Sequence, residues 1–136
     1  MTEQDQKRVR ETSFRVRYAE TDAAGITYHA NYIVWFEVGR GDYLWQQGRS
    51  YAELEAEGYV LPVTEVSARY LAPCRYGDMV TVRTWAERLR SRQITFAYEI
   101  VDAAGKTLCT GHTVHICTDR EGRVRALPGW IRELLT

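Results

Sequence analysis

The chain has 136 residues, 45% of them hydrophobic and 26% charged, which is enough for one domain with a substantial core and too few for two. Its 18 basic residues are matched by 18 acidic ones, so net charge gives no pull toward nucleic acid or an anionic membrane surface, and the chain reads as directed at a small molecule. The charged start M-T-E-Q-D-Q-K-R-V-R has no apolar stretch for a signal peptide or membrane span, and three cysteines suit reduced thiols better than a disulfide framework, so the expected compartment is the cytoplasm.

Residues 1–10 read as a loose arm on a single domain spanning 1–136. Phe14, Val16 and Tyr18 then alternate with Arg15 and Arg17, the period of a half-buried strand. The loop that follows, E-T-D-A-A-G-I-T-Y-H-A-N, leads into a helix. Tyr32, Trp35, Phe36, Gly39 and Tyr43 recur on one face of it, and it ends near Gly48. Asn31 is the expected N-cap, accepting from unpaired N–H groups of the first turn. Gly39 lets the helix approach a sheet closely, at about 1 kcal/mol of helix propensity, and Gly41 adds a similar cost. Val60–Leu71, Met79–Leu89, Gln93–Val101 and Leu108–Asp119 are rich in β-branched and aromatic residues, and the segments C-R-Y-G-D, R-S-R and D-A-A-G-K separate them as turns. Pro128, Gly129 and Trp130 open a short final helix through Leu135. One long helix among five strands implies an α+β domain whose antiparallel sheet buries the aromatic face of that helix.

The chemistry concentrates around Asp22. A carboxylate in a glycine-containing loop, just before a helix N-terminus, can attack a carbonyl or deprotonate a water that does. The helix amides can polarise the carbonyl oxygen. Gly25 allows a tight turn and a close backbone approach to a ligand. The plain alternative is that Asp22 is only a turn or cap residue. Other chemistries lack their residues: there is no G-x-S-x-G elbow, phosphate loop, dinucleotide fingerprint or paired C-x-x-C. His112 and His115, three apart on a strand, point to opposite faces and do not share a metal. Cys109 and Cys117 share a strand face, where burial explains them.

The run R-Y-A-E-T-D-A-A-G-I-T-Y-H-A-N-Y, continued through W-F-E-V-G-R, resembles the signature of the 4-hydroxybenzoyl-CoA thioesterase family of hot-dog-fold acyl-CoA hydrolases. The resemblance implies a five-stranded sheet wrapped around a long central helix. It also implies hydrolysis of an acyl-CoA thioester to free acid and coenzyme A, without a metal or organic cofactor. It places the catalytic carboxylate on Asp22 and the N–H that binds the thioester oxygen on His29. Glu20, where the family often has Asp, and Thr27, where it has Val or Ile, are expected to lie off the chemistry. Glu37, where relatives often carry an acid, is expected to pair with Arg40 or Arg69. Gly25, Tyr28, Asn31 and Tyr32 are candidate substrate-binding residues, although Tyr28, Tyr32 and Trp35 can equally be helix core. Arg90 and Arg92, with Arg88, stand at the turn whose basic residues hold coenzyme A phosphates in relatives. Arg120, Arg123 and Arg125 form a second basic cluster. The implied assembly is a homodimer or homotetramer with the pocket at a subunit junction, where Val63–Ser67 of one chain face Asp22 of another. A non-catalytic acyl-CoA or lipid-binding hot-dog module is the alternative.

Overall fold

The computed structural model describes residues 8–136. Of the arm expected over 1–10, residues 1–7 lie outside the described residues, and Arg10 already belongs to a strand. The elements are β1 (Arg10–Arg15), α1 (His29–Trp45), α2 (Tyr51–Ala56), β2 (Val63–Tyr70), β3 (Met79–Leu89), β4 (Gln93–Asp102), β5 (Thr107–Ile116) and α3 (Gly129–Leu135). The five strands form one antiparallel sheet in the order β1-β3-β4-β5-β2. None of the described helices is long and apolar enough to cross a membrane.

Register decides which side chains meet α1. Pairing Phe14 with Val80, Val82 with Ile100, Thr84 with Tyr98 and Tyr98 with Gly111 puts these residues on one inward face of the sheet. Against it α1 buries Tyr32, Trp35, Phe36, Gly39, Tyr43 and Leu44. Phe36 stacks on Tyr98 with ring centroids 4.4 Å apart. Gly111 makes this possible, since a Cβ there would fall 2.6 Å from the Phe36 ring. Gly39 plays the expected part: a Cβ would lie 2.5 Å from Thr84 Oγ1 and 2.7 Å from Val82 Cγ1, so the helix sits directly on β3. At Gly41 a Cβ would meet open space.

A buried chain of polar groups crosses the core. His115 Nδ1 lies 3.0 Å from the Leu61 carbonyl, to which it donates, so Nε2 accepts from the Thr113 hydroxyl at 2.8 Å. That hydroxyl in turn accepts from Tyr98 Oη at 2.6 Å. Burial pushes the His115 imidazole down to about 4, although the bond to Leu61 works in the other direction. His112, on the opposite face, sits 3.9 Å from Glu65.

Three expectations shift. The first strand runs earlier than Phe14–Tyr18, because the chain turns at Arg17 into one 3-10 turn (Tyr18–Glu20), leaving Val16 buried and Tyr18 exposed. A further short helix, α2, stands between α1 and β2, where no element is expected; Ser50 caps it by accepting from Glu53 N–H. Strand β5 stops at Ile116, and beyond it Thr118 makes only isolated bridges to Val60 and Val124.

Candidate active site

The Asp22 loop is a hairpin-like turn. Asp22 N–H donates to Ile26 O at 2.9 Å and Gly25 N–H to Asp22 O at 3.0 Å, with Gly25 at φ +80°, which its missing Cβ permits. Asp22 Oδ1 accepts from Ala24 N–H at 2.8 Å. The same turn occurs twice more, at Asp102–Gly105 and Asp119–Gly122, where the Asp Oδ1 again accepts from the residue two ahead, at 2.9 Å. Those two carboxylates also accept from the N–H four residues ahead, Lys106 and Arg123. Among the described residues Asp22 has no such second bond. As a turn residue it is ordinary; what sets it apart is its looser tether and what it faces.

The loop is fastened at both ends. At its start Glu20, 4% exposed, receives Arg17 N–H at 2.8 Å, the Arg17 guanidinium at 3.3 Å and the Trp35 indole N–H at 2.8 Å. Burial alone would raise this carboxyl, but the Trp35 and Arg17 donors outweigh it and hold it below the usual range. The Glu20 carbonyl accepts from Tyr28 N–H at 2.8 Å and from Asn31 Nδ2 at 3.1 Å. At the loop's end Thr27 donates N–H and hydroxyl to the Cys74 carbonyl.

Asn31 is therefore not the N-cap. The helix begins at His29 with Tyr28 as a cap that makes no side-chain bond, and the Asn31 side chain turns back to the loop, where its amide gives the Glu20 carbonyl a second donor beside Tyr28 N–H. Glu20 and Thr27, expected to lie off the chemistry, hold the two ends of the Asp22 loop.

Asp22, Ile26 and Thr27 from the loop, His29 and Tyr32 from α1, and Tyr70 at the end of β2 with Leu71, Ala72 and Pro73 after it line a cleft of about 480 Å³. Tyr32 forms its floor, buried, with its hydroxyl 3.4 Å from Cys74 Sγ; burial and the neighbouring thiol raise its pKa. Tyr70 is the cleft residue that sequence reasoning missed. Its hydroxyl donates to the His29 carbonyl at 2.9 Å, and its ring packs edge-on against Tyr32 at 5.2 Å. Nothing in its local sequence sets it apart from any strand aromatic. A larger hollow, about 960 Å³, lies on the outer face of the sheet around Arg69, Arg83, Glu99 and His112, and no residue of the Asp22 loop or α1 reaches it.

Other candidates lie apart. Gly25 is exposed at the turn apex and serves the turn; Tyr28 is half-exposed, its ring 4.4 Å from that of His29. Arg90 and Arg92 are exposed beyond the far end of β3. The Asp22 loop follows β1, whose Arg15 pairs with Met79 at the near end. Eleven residues of strand between them are roughly 30 Å or more, so within one chain these arginines do not join the cleft. Glu37 forms no ion pair among the described residues; it shares a shallow cleft with Arg40 and Tyr51, whereas Arg69 stands on the sheet face turned away from α1. All three cysteines are buried free thiols.

Comparison with known proteins gives the family. Residues 16–135 match the model of the thioesterase-like superfamily. The chain is 37% identical over 127 residues to a putative acyl-CoA thioesterase, YneP, of Bacillus subtilis, covering 90% of this chain and 92% of the relative. It is 33% identical over 115 residues to the acyl-CoA thioester hydrolase YbgC of Escherichia coli, covering 84% and 86%. Among solved structures it resembles the DHNA-CoA thioesterase of Staphylococcus aureus with a TM-score of 0.85 at 36% identity, over 92% of this chain and 85% of that one. With its sheet wrapped around α1 and its loop set at the start of that helix, the chain is a hot-dog-fold member of the thioesterase-like superfamily.

Proposed function

We propose that this protein hydrolyses an acyl-CoA thioester to the free acid and coenzyme A, using Asp22 and the first amide of α1. The observation that carries the reading is one cleft lined by both Asp22 and His29. The N-terminus of a 17-residue helix carries partial positive charge and presents amides without intrahelical partners, which suits the oxyanion that forms when a thioester carbonyl is attacked. Asp22 either takes a proton from water as the oxygen adds to the carbonyl carbon, or adds itself to give an anhydride that water then opens. In both routes the C–S bond breaks and the thiolate leaves. The related enzymes named above support the substrate class.

The partner subunit completes the arrangement in this proposal. Strand β2 is an exposed edge carrying Val63, Val66 and Tyr70. Paired antiparallel with its copy about a two-fold, it would lay the Tyr70 end of one chain beside the Val63 end of the other. Because Val63 pairs with His115, next to Ile116 and hence Gln93, the partner's Arg90 and Arg92 would arrive on the side of the Asp22 cleft. Arginine suits coenzyme A phosphates because its planar fork donates in pairs.

The recurrence of the Asp22 turn at Asp102 and Asp119 favours one rival, a binding module in which Asp22 is only a turn residue. Thiol release across aliphatic and aromatic acyl-CoA substrates separates the two. Asp22→Asn should lower kcat by about 10²–10⁴-fold. His29 is the first helical residue, where proline is tolerated, and Tyr28 at ψ 134° already has the backbone that proline requires before it. His29→Pro deletes the proposed oxyanion donor and should cost about 10²–10³-fold, while His29→Ala keeps the amide and most of the activity. Binding of acyl-CoA with no thiol release would establish the module.

A further inference from the structure

We propose that Glu20 is a positioning residue for the reaction at Asp22: its buried carboxylate, bonded to the indole of Trp35, sets where the Asp22 loop stands against the amides at the start of α1. The proposal rests on the reading of Asp22 as the reactive carboxylate.

Three observations carry it. The first is the comparison among the chain's own turns. Asp102 and Asp119 are each held by two backbone N–H groups of their own turn, whereas Asp22 is held by one, so the position of its carboxylate depends more on how the loop as a whole is anchored. The second is where that anchor lies. Glu20 is two residues before Asp22, and it ties the loop to α1 in two ways: through its side chain to Trp35, two turns into the helix, and through its carbonyl to Tyr28 N–H and the Asn31 amide at the helix start. One residue thereby links the carboxylate side of the loop directly to the helix that carries the amides, and attack at a polarised carbonyl depends on that separation.

The third is the choice of side chain. Burying a carboxylate costs several kcal/mol unless its oxygens are satisfied. Here both oxygens are: Oε1 takes Arg17 N–H, and Oε2 takes the Trp35 indole together with the Arg17 guanidinium. All of these are donors, so an acceptor on both branches is required. Glutamine has the same shape but would place an NH₂ against one of them, leaving two donors facing each other. The site thus specifies a carboxylate and not merely a polar side chain of that length.

The test compares steady-state kinetics and thermal unfolding of Glu20→Gln, Trp35→Phe, their double variant and Asn31→Ala, with Asp22→Asn as reference. Glu20→Gln should lower kcat about tenfold while KM stays within about twofold, since the loop moves relative to the amides but the cleft walls do not. Trp35→Phe should lower kcat comparably, and the double variant should be no slower than the slower single one, because both remove the same tie. Asn31→Ala, which leaves the carboxylate and its partners in place and removes only the second bond to the Glu20 carbonyl, should cost about threefold in kcat.

The proposal is overturned if Glu20→Gln keeps wild-type kcat, if the two fold-changes multiply in the double variant, or if the loss appears only in the folded fraction. If Glu20→Gln does not fold, Trp35→Phe and Asn31→Ala decide: wild-type kcat in both overturns it. Wild-type turnover by Asp22→Asn overturns the underlying reading, and this proposal with it. Loss in Asp22→Asn without loss in the Glu20, Trp35 and Asn31 variants overturns this proposal alone.

Discussion

At the scale of single residues, two buried ionisable groups give the fold a definite response to acid. His115 is held neutral down to about 4, whereas in the unfolded chain it takes a proton near 6.5. Between those values the unfolded state binds more protons, so stability falls as pH drops, by roughly 3 kcal/mol in all. Glu20, held below 4.5, continues the loss at lower pH as the unfolded chain protonates first. Urea midpoints should therefore decline from pH 6.5 downward, and in His115→Gln the decline between 6.5 and 4.5 should flatten even though that variant starts lower. An unchanged slope would show that the imidazole already takes its proton in the folded protein. Neither group could be recognised from sequence. The histidine's environment is made by Tyr98, Thr113 and Leu61, the last of them 54 positions away, and the glutamate's by an indole 15 residues on.

At the scale of elements, α1 and four of the strands were legible because burial repeats with the period of the backbone: Tyr32, Trp35, Phe36, Gly39 and Tyr43 fall on one helical face for the same reason that they touch the sheet. Helix α2 has too few residues for periodicity to appear, though Ser50 followed three positions later by Glu53 was a readable start signal. Asn31 was misread because capping rules weigh only the local chain, and here a carbonyl eleven residues away wins its side chain. The two glycines of α1, alike in sequence, separate once the sheet is present. Gly41→Ala should stabilise the protein by about 0.5–1 kcal/mol, the ordinary helix gain with nothing to strike. Gly39→Ala should destabilise it by roughly 1–3 kcal/mol, since its methyl must displace Thr84 and Val82 on β3. Chemical denaturation of the two variants side by side checks both signs, and equal shifts would contradict the close packing of α1 on β3.

At the scale of the whole molecule, the cleft and the arginines Arg90 and Arg92 stand at opposite ends of the sheet, and no reading of one chain brings them together. A shared site makes a quantitative prediction. Asp22→Asn and the double variant Arg90→Glu/Arg92→Glu are each expected to be nearly inactive, but mixed in equal amounts and allowed to exchange subunits they should recover about a quarter of wild-type activity. Half of the dimers are then mixed, and each carries one intact site of two. Absence of recovery after subunit exchange would place the arginines outside the site. Tyr70 gives the edge strand a further significance, because it lies on β2 and at the same time grips the first turn of α1 through the His29 carbonyl. Whatever lines up along that edge thus acts on a wall of the cleft. A short extended peptide matched to β2 would be an inhibitor that never touches the substrate.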